Sequence, residues 1–156
     1  MKRITIGGKE YTFKFSVEAS LYDDCTKAIL DSFVTGGKLE QSAKDNDMDS
    51  TINGIISSMA NIPQKAITMF YAGLLEKHSD EVKSIKDARE LVKDYLEENK
   101  DEETGAFKIT LYDILTEMME IMADDNFFAL IGLEKMMNQA EQPKRRGRKK
   151  SEVGNN

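Results

Sequence analysis

The residues that could do chemistry in this sequence are few. His78 and Cys25 are the only histidine and the only cysteine, so they cannot form a zinc site of histidine and cysteine ligands, and no nucleophile motif accompanies His78. Each lies on an apolar helical stripe, which predicts a half-buried structural histidine at a helix end and a buried cysteine that packs as a small hydrophobic residue. We therefore predict no catalytic residue, no metal site and no cofactor.

Carboxylates are more numerous but do not form a recognisable motif. Asp45, Asp47 and Asp49 alternate like the start of an EF-hand loop, but the glycine at the sixth position and the glutamate at the twelfth are missing. A solvated loop is the interpretation that this pattern favours. An enzyme that uses only carboxylates stays an alternative, and it would need a pocket in which carboxylates of perturbed pKa converge.

The charge of the chain is unevenly distributed. Of the 156 residues 32% are charged, and the net charge of −6 combines +5 on residues 144–156 with −11 on residues 1–143. The sequence has neither the apolar run of a signal peptide nor the stretch of about 18 apolar residues that spans a membrane. We predict one folded domain over residues 1–142, a disordered basic tail over 143–156, and a cytoplasmic location without membrane contact.

The tail supplies a second candidate site. Its basic residues, which could bind a polyanion, are Lys144, Arg145, Arg146, Arg148, Lys149 and Lys150. The Arg-Gly-Arg core resembles an AT-hook, which lies in the narrow minor groove of A·T-rich DNA, although Pro143 is displaced from the position that a hook prefers. The alternative function that this tail suggests is a small DNA-associated regulator, but the acidic domain predicts only weak nucleic-acid binding.

The start of the chain predicts a β-hairpin. Apolar and polar residues alternate on both sides of Gly7-Gly8, a pattern typical of two strands joined by a tight turn. The expected register places Ile6 opposite Lys9, Ile4 opposite Tyr11 and Lys2 opposite Phe13. Because a two-stranded sheet is marginal alone, its apolar face must rest on helices.

Helical periodicity dominates the rest of the sequence. We predict a helix from Ser16 to about Val34 that ends at Gly36-Gly37, a mobile polar connection over 38–50, and a short helix around Ile52 to Ala60. A helix with Pro63 in its first turn, an antiparallel partner capped by Ser84, a helix capped by Thr110 with Asp113, and one after Asn126 complete the set. The predicted fold is α+β, mostly α: a two-stranded hairpin packed on a bundle of about six helices.

Methionine provides the strongest candidate for a binding surface. Five of the nine methionines lie between residues 118 and 137, beside two phenylalanines, and flexible thioether side chains adapt to varied amphipathic partners. The predicted client-binding residues are Met118, Met119, Met122, Phe127, Phe128, Met136 and Met137. An ordinary core filled with methionine is the alternative.

Four segments together resemble one protein family. They are the opening ITIGGKEYTFKFSVEA, the central FYAGLLEKHSDEV, the following DARELVKDYLEE and the late LYDILTEMMEIMADDNFF. In this order they resemble the tail assembly chaperones of long-tailed bacteriophages and prophages of Gram-positive bacteria. The resemblance spans most of residues 2–131 and consists of element starts and apolar faces; residues 38–50 and the basic tail match no motif of the family.

The resemblance implies a protein that is not an enzyme. Such chaperones act in the cytoplasm of the infected cell, coat the long, aggregation-prone tape measure protein, bring tail tube subunits to it, and are absent from the finished virion. In many of these phages a ribosomal frameshift makes a second, longer form of the chaperone. This chain would correspond to the shorter form. The expected partners are the tape measure protein, the tail tube protein and further copies of the chain.

Overall fold

The computed structural model describes residues 1–141, in which two strands are followed by seven helices. The strands are β1 (Lys2–Ile6) and β2 (Lys9–Phe13). The helices are α1 (Val17–Ser20), α2 (Asp23–Lys44), α3 (Met48–His78), α4 (Ile85–Glu98), α5 (Leu111–Asp124), α6 (Phe127–Leu130) and α7 (Leu133–Glu141). The α+β, mostly α, prediction is confirmed. The predicted disordered tail lies outside the described residues.

The hairpin forms in the predicted register. Lys2 pairs with Phe13, Ile4 with Tyr11 and Ile6 with Lys9. The two glycines of the turn have φ angles of 59° and 72°, the left-handed region in which a side chain would be strained. One face of the hairpin is buried because the apolar members of these pairs all point to the helices.

The hairpin rests on the second half of α3, where a glycine allows close approach. The ring of Phe13 meets that of Phe70 edge-on at 4.7 Å between centroids. A Cβ on Gly73 would lie 3.0 Å from the Phe13 ring and 3.2 Å from the Phe15 ring. The Lys14 N–H donates to the Gly73 carbonyl at 2.8 Å. The end of β2 is therefore fixed against α3 by packing and by a backbone hydrogen bond.

The single helix predicted from Ser16 to about Val34 was wrong in its extent. The segment is divided into α1, which ends at Ser20, and α2, which begins at Asp23. Helix α2 passes through Gly36-Gly37 and runs to Lys44, so most of the segment predicted as a mobile connection is helical. Neither glycine has a positive φ, and neither therefore forms the left-handed cap that was expected. Each glycine destabilises a helix by about 1 kcal/mol relative to alanine, and contacts of α2 with α3 elsewhere along the helix offset this cost.

The expected start of a helix at Pro63 was also wrong. Met48–His78 forms one helix of 31 residues with Pro63 inside it. Proline cannot donate to the carbonyl four residues earlier, which weakens the helix at this point. The exposed side of the helix tolerates the ring, and the short helix predicted around residues 52–60 merges with the one that follows.

The starts of α4 and α5 were predicted correctly. The Ser84 side chain accepts from the Asp87 N–H at the start of α4. Thr110 and Asp113 form a reciprocal capping box at the start of α5. The single helix predicted after Asn126 is instead two, α6 and α7, because Gly132 adopts a φ of 77° between them. Along residues 1–141 no helix combines the length and the apolar content needed to cross a membrane.

Burial divides the described chain into two regions. From residue 30 to residue 65 no side chain is buried, whereas one continuous hydrophobic cluster joins the hairpin to the helices on both sides of this segment. We call residues 30–65, which comprise the last part of α2, the turn at 45–47 and the first part of α3, the arm. The rest of the described chain is the body. The arm is a helical hairpin without a buried core of its own.

Candidate protein-interaction surfaces

The predicted methionine surface is divided between the core and the exterior. Met118, Met122 and Phe127 are fully buried. Met118 and Met122 lie four residues apart on the face of α5 that packs into the core, and the Phe127 ring lies 5.5 Å from that of Phe15. A client that docks on this structure would not contact these three side chains, so the predicted surface is corrected to exclude them.

The other four predicted residues are accessible to different degrees. Met119 and Phe128 are half-buried, while Met136 and Met137 on α7 are 59% and 46% exposed. The Phe128 ring meets the ring of Phe33 edge-on at 5.8 Å. We call Met136 and Met137 the methionine pair. The six basic residues predicted to bind a polyanion, 144–150, lie outside the described residues.

A second apolar surface was not identified from the sequence. On the first half of α3 the large apolar side chains that are at least 46% exposed are Met48, Ile52, Ile55, Ile56 and Met59. We call this set the arm stripe. The spacing of these residues predicts a helix, but a proline favours a helix start, so the sequence alone predicts only a short connecting helix before Pro63. The unused signal was the complete lack of charged residues over 50–64.

The two arm helices approach each other closely at Gly54. The Leu39 side chain occupies the space beside Gly54, 2.5 Å from where a Cβ would lie. Next to this contact is an open depression of about 510 Å³, lined mainly by small and polar residues such as Ser42, Ser50 and Ser57. The arm stripe lies elsewhere on α3: at about 100° per residue, each of its members is rotated about 100° or more from Gly54. The partner helix α2 therefore does not cover the stripe.

The histidine, the cysteine and one aspartate of the 45–49 segment each make contacts that support the fold. The Thr12 N–H donates to His78 Nε2 at 2.8 Å, and the imidazole lies against the ring of Tyr11, which confirms its half-buried structural role. Cys25 is fully buried, as predicted, and burial raises the pKa of its thiol to about 12. The Asp47 carboxylate accepts from the Ser50 N–H and caps α3.

Carboxylates in the body tie elements together. Glu76 on α3 accepts from Lys14 Nζ at 2.8 Å and from the Ser16 hydroxyl, and these two hydrogen bonds lower the pKa of the carboxyl. Asp125 accepts from the Phe15 N–H at 2.8 Å. Among residues 1–141, no cluster of three or more histidine, cysteine or carboxylate residues is arranged to hold a metal ion.

Two groups of exposed apolar side chains on the described chain are thus suited to protein contact: the methionine pair on α7 and the arm stripe on α3. Comparison with known proteins adds no further constraint, since no family model, no curated protein and no solved structure matches this chain.

Proposed function

We propose that this protein is a phage tail assembly chaperone without catalytic activity, which coats the tape measure protein, keeps it soluble and recruits tail tube subunits. It would act in the host cytoplasm during assembly and be absent from the finished virion. The proposal rests on the resemblance of the four segments in residues 2–131. The observation in the molecule that supports it best is the exposed methionine pair on an otherwise acidic protein.

The methionine pair has the properties of an adaptable docking surface. Leu133 at the start of α7 is 5% exposed and anchors the helix, while Met136 and Met137 face outward. Unbranched thioether side chains can adjust to helices whose apolar stripes vary along their length. A tape measure protein is long and helical and would present such stripes before the tube encloses it.

The negative charge of the domain suits a protein that keeps the tape measure protein soluble. Residues 1–143 carry −11, and a high net charge keeps a complex soluble even when its components expose apolar surface. Each copy needs only a weak contact, because many copies along one filament raise the overall binding strength.

The experiment is co-expression of the full chain with the tape measure protein encoded nearby, scored by the solubility of that protein and by its co-purification. We expect a soluble complex with the unaltered chain. Met136→Glu combined with Met137→Glu should abolish co-purification, because two carboxylates would replace the apolar contact. The matched control, Tyr112→Glu, changes a side chain that is 62% exposed on α5 and should leave the complex intact.

Deletion of residues 144–150 separates this proposal from the DNA-associated alternative. A chaperone that binds through its folded domain keeps its client after the deletion. If the tape measure protein stays insoluble with the unaltered chain, and the chain instead carries nucleic acid that the deletion or added salt removes, the chaperone proposal fails and the regulator is supported.

A further inference from the structure

The apolar stripe that faces the core on α3 continues beyond the body. Apolar residues recur at alternating intervals of four and three, the spacing of a helix-packing seam. The members in the arm are Met48, Ile52, Ile55, Met59 and Ile62, and those in the body are Ala66 and Met69. Ala66 and Met69 are fully buried, whereas Met48 and Met59 are 69% and 63% exposed. The same face of one helix is therefore covered at one end and open at the other.

Charge identifies the kind of surface that can cover the open end. The domain is strongly acidic, so two copies repel each other over most of their surfaces. Residues 50–64 contain no charged side chain. If two copies contact each other through this segment, no carboxylate of one copy faces a carboxylate of the other. The segment also has no charge that would favour a charged partner. The neutral face is thus compatible with a second copy of itself.

The order of residues along the stripe is self-complementary. A two-fold interface requires that one patch fits a copy of itself turned end to end. If the symmetry axis passes between residues 55 and 56, Ile52 of one copy lies opposite Met59 of the other. Ile55 then lies opposite Ile56. Between residues 52 and 59, each large apolar side chain therefore meets another apolar side chain.

The antiparallel direction also separates the acidic bodies. In this arrangement Ala66, where the buried part of α3 begins, lies opposite residue 45 at the tip of the other arm. The two Ala66 positions are then roughly 32 Å apart along the helix axis. At physiological ionic strength charges are screened over about 8 Å, so the bodies hardly repel each other. A parallel arrangement would instead place the two bodies side by side.

We propose that two copies of this chain pair through the arm stripes in antiparallel orientation. The four arm helices form a bundle with the two α3 segments in contact at its centre. This arrangement supplies the shared core that a single arm lacks, because a lone helical hairpin cannot bury both of its apolar faces. The inference is independent of the proposed chaperone function, which relies on the methionine pair.

The first test measures the mass of the full chain by sedimentation velocity over a concentration series. We expect a monomer–dimer equilibrium. Ile52→Glu combined with Ile55→Glu should raise the dissociation constant about 100-fold or more, because the charges would be buried against apolar side chains. The control, Tyr112→Glu combined with Leu130→Glu, places charges at exposed body sites and should leave the constant unchanged. Circular dichroism verifies that both variants keep their helices.

The second test fixes the direction of pairing by disulfide formation. A mixture of Ile52→Cys and Met59→Cys chains should form a crosslinked heterodimer on oxidation. Met48→Cys alone should not crosslink, since only a parallel pair brings two copies of residue 48 together. The unaltered chain is a suitable background because Cys25 is fully buried.

Three results would overturn the proposal. The first is a chain that stays monomeric at every concentration, and the second is a dimer that the control substitutions disrupt and the arm substitutions do not. The third is efficient crosslinking of Met48→Cys. A monomeric chain whose arm variants lose the tape measure protein would assign the stripe to the client instead, and would leave the chaperone function standing.

Discussion

The two halves of α3 have similar side chains but different surroundings. In its body half Met69 is buried and Phe70 and Gly73 contact the hairpin, whereas in its arm half Met59 and Ile55 are exposed. Both halves are helical. The comparison shows that helix formation in this protein does not require a buried face at every turn, because a segment continuous with a packed helix avoids the cost of starting a new one.

The sharpest way to break this comparison uses two methionines on the same helix. Met69→Ala removes a fully buried side chain and should lower the free energy of unfolding by about 2–5 kcal/mol. Met59→Ala removes one that is 63% exposed and should change it by less than about 0.5 kcal/mol. Urea denaturation at low protein concentration, where pairing of copies is negligible, measures both. Equal losses would mean that the arm contains a core of its own.

Two glycines offer a second comparison, with effects of opposite sign. Gly73→Ala introduces a Cβ at 3.0 Å from Phe13 and should destabilise the fold by about 1 kcal/mol or more, since the two rings beside it are packed. Gly36→Ala meets nothing within 4 Å and should stabilise it by about 0.5–1 kcal/mol through helix propensity. Thermal unfolding gives the order of the midpoints. A stabilising effect at Gly73 would show that the hairpin is not held closely against α3.

The smallest expected effect is on the dependence of the melting temperature on pH. Hydrogen bonds from Lys14 and Ser16 lower the pKa of Glu76 below its ordinary value of 4.5, so this carboxylate stabilises the folded state above that value. The contribution is lost as the pH falls below 4.5 and through the lowered pKa. Glu76→Gln should therefore flatten the decline of the melting temperature between about pH 5 and pH 3.

The matched variant in the arm is Glu40→Gln. Glu40 also has a lowered pKa, owing to Lys44, but both side chains are about two-thirds exposed and belong to the same helix. Exposed pairs of this kind contribute little, so the acid profile should be nearly that of the unaltered chain. A stronger effect at Glu40 than at Glu76 would contradict the assignment of Glu76 as a link between the end of the hairpin and α3.

Features set by short-range chemistry were predictable from the sequence. The hairpin register follows from the glycine turn and the alternation of apolar residues, and the starts of α4 and α5 follow from Ser84 and Thr110. Each involves residues only a few positions apart, so no knowledge of the tertiary structure was needed.

Features set by contacts between helices were not predictable in this way. Gly36-Gly37 and Pro63 usually end or begin helices, but here each lies in a helix that is continuous with a packed part of the body, so the helix continues through them. Periodicity located the methionine-bearing faces correctly. It could not tell that Met118 and Met122, on the helix that packs against α3, are buried while Met136 and Met137 are exposed, because exposure depends on neighbours that are distant in sequence.

The continuity of α3 has a mechanical consequence. The helix is about 46 Å long, and its first half lies outside the body. A force on the tip of the arm would therefore be transmitted along α3 to its other end, where Phe70 and Gly73 contact the hairpin. Pro63, where the ladder lacks a hydrogen bond, is the point at which the rod bends first. If the helix stays straight, the movement of a bound partner reaches the hairpin. If it bends at Pro63, the movement stays within the arm.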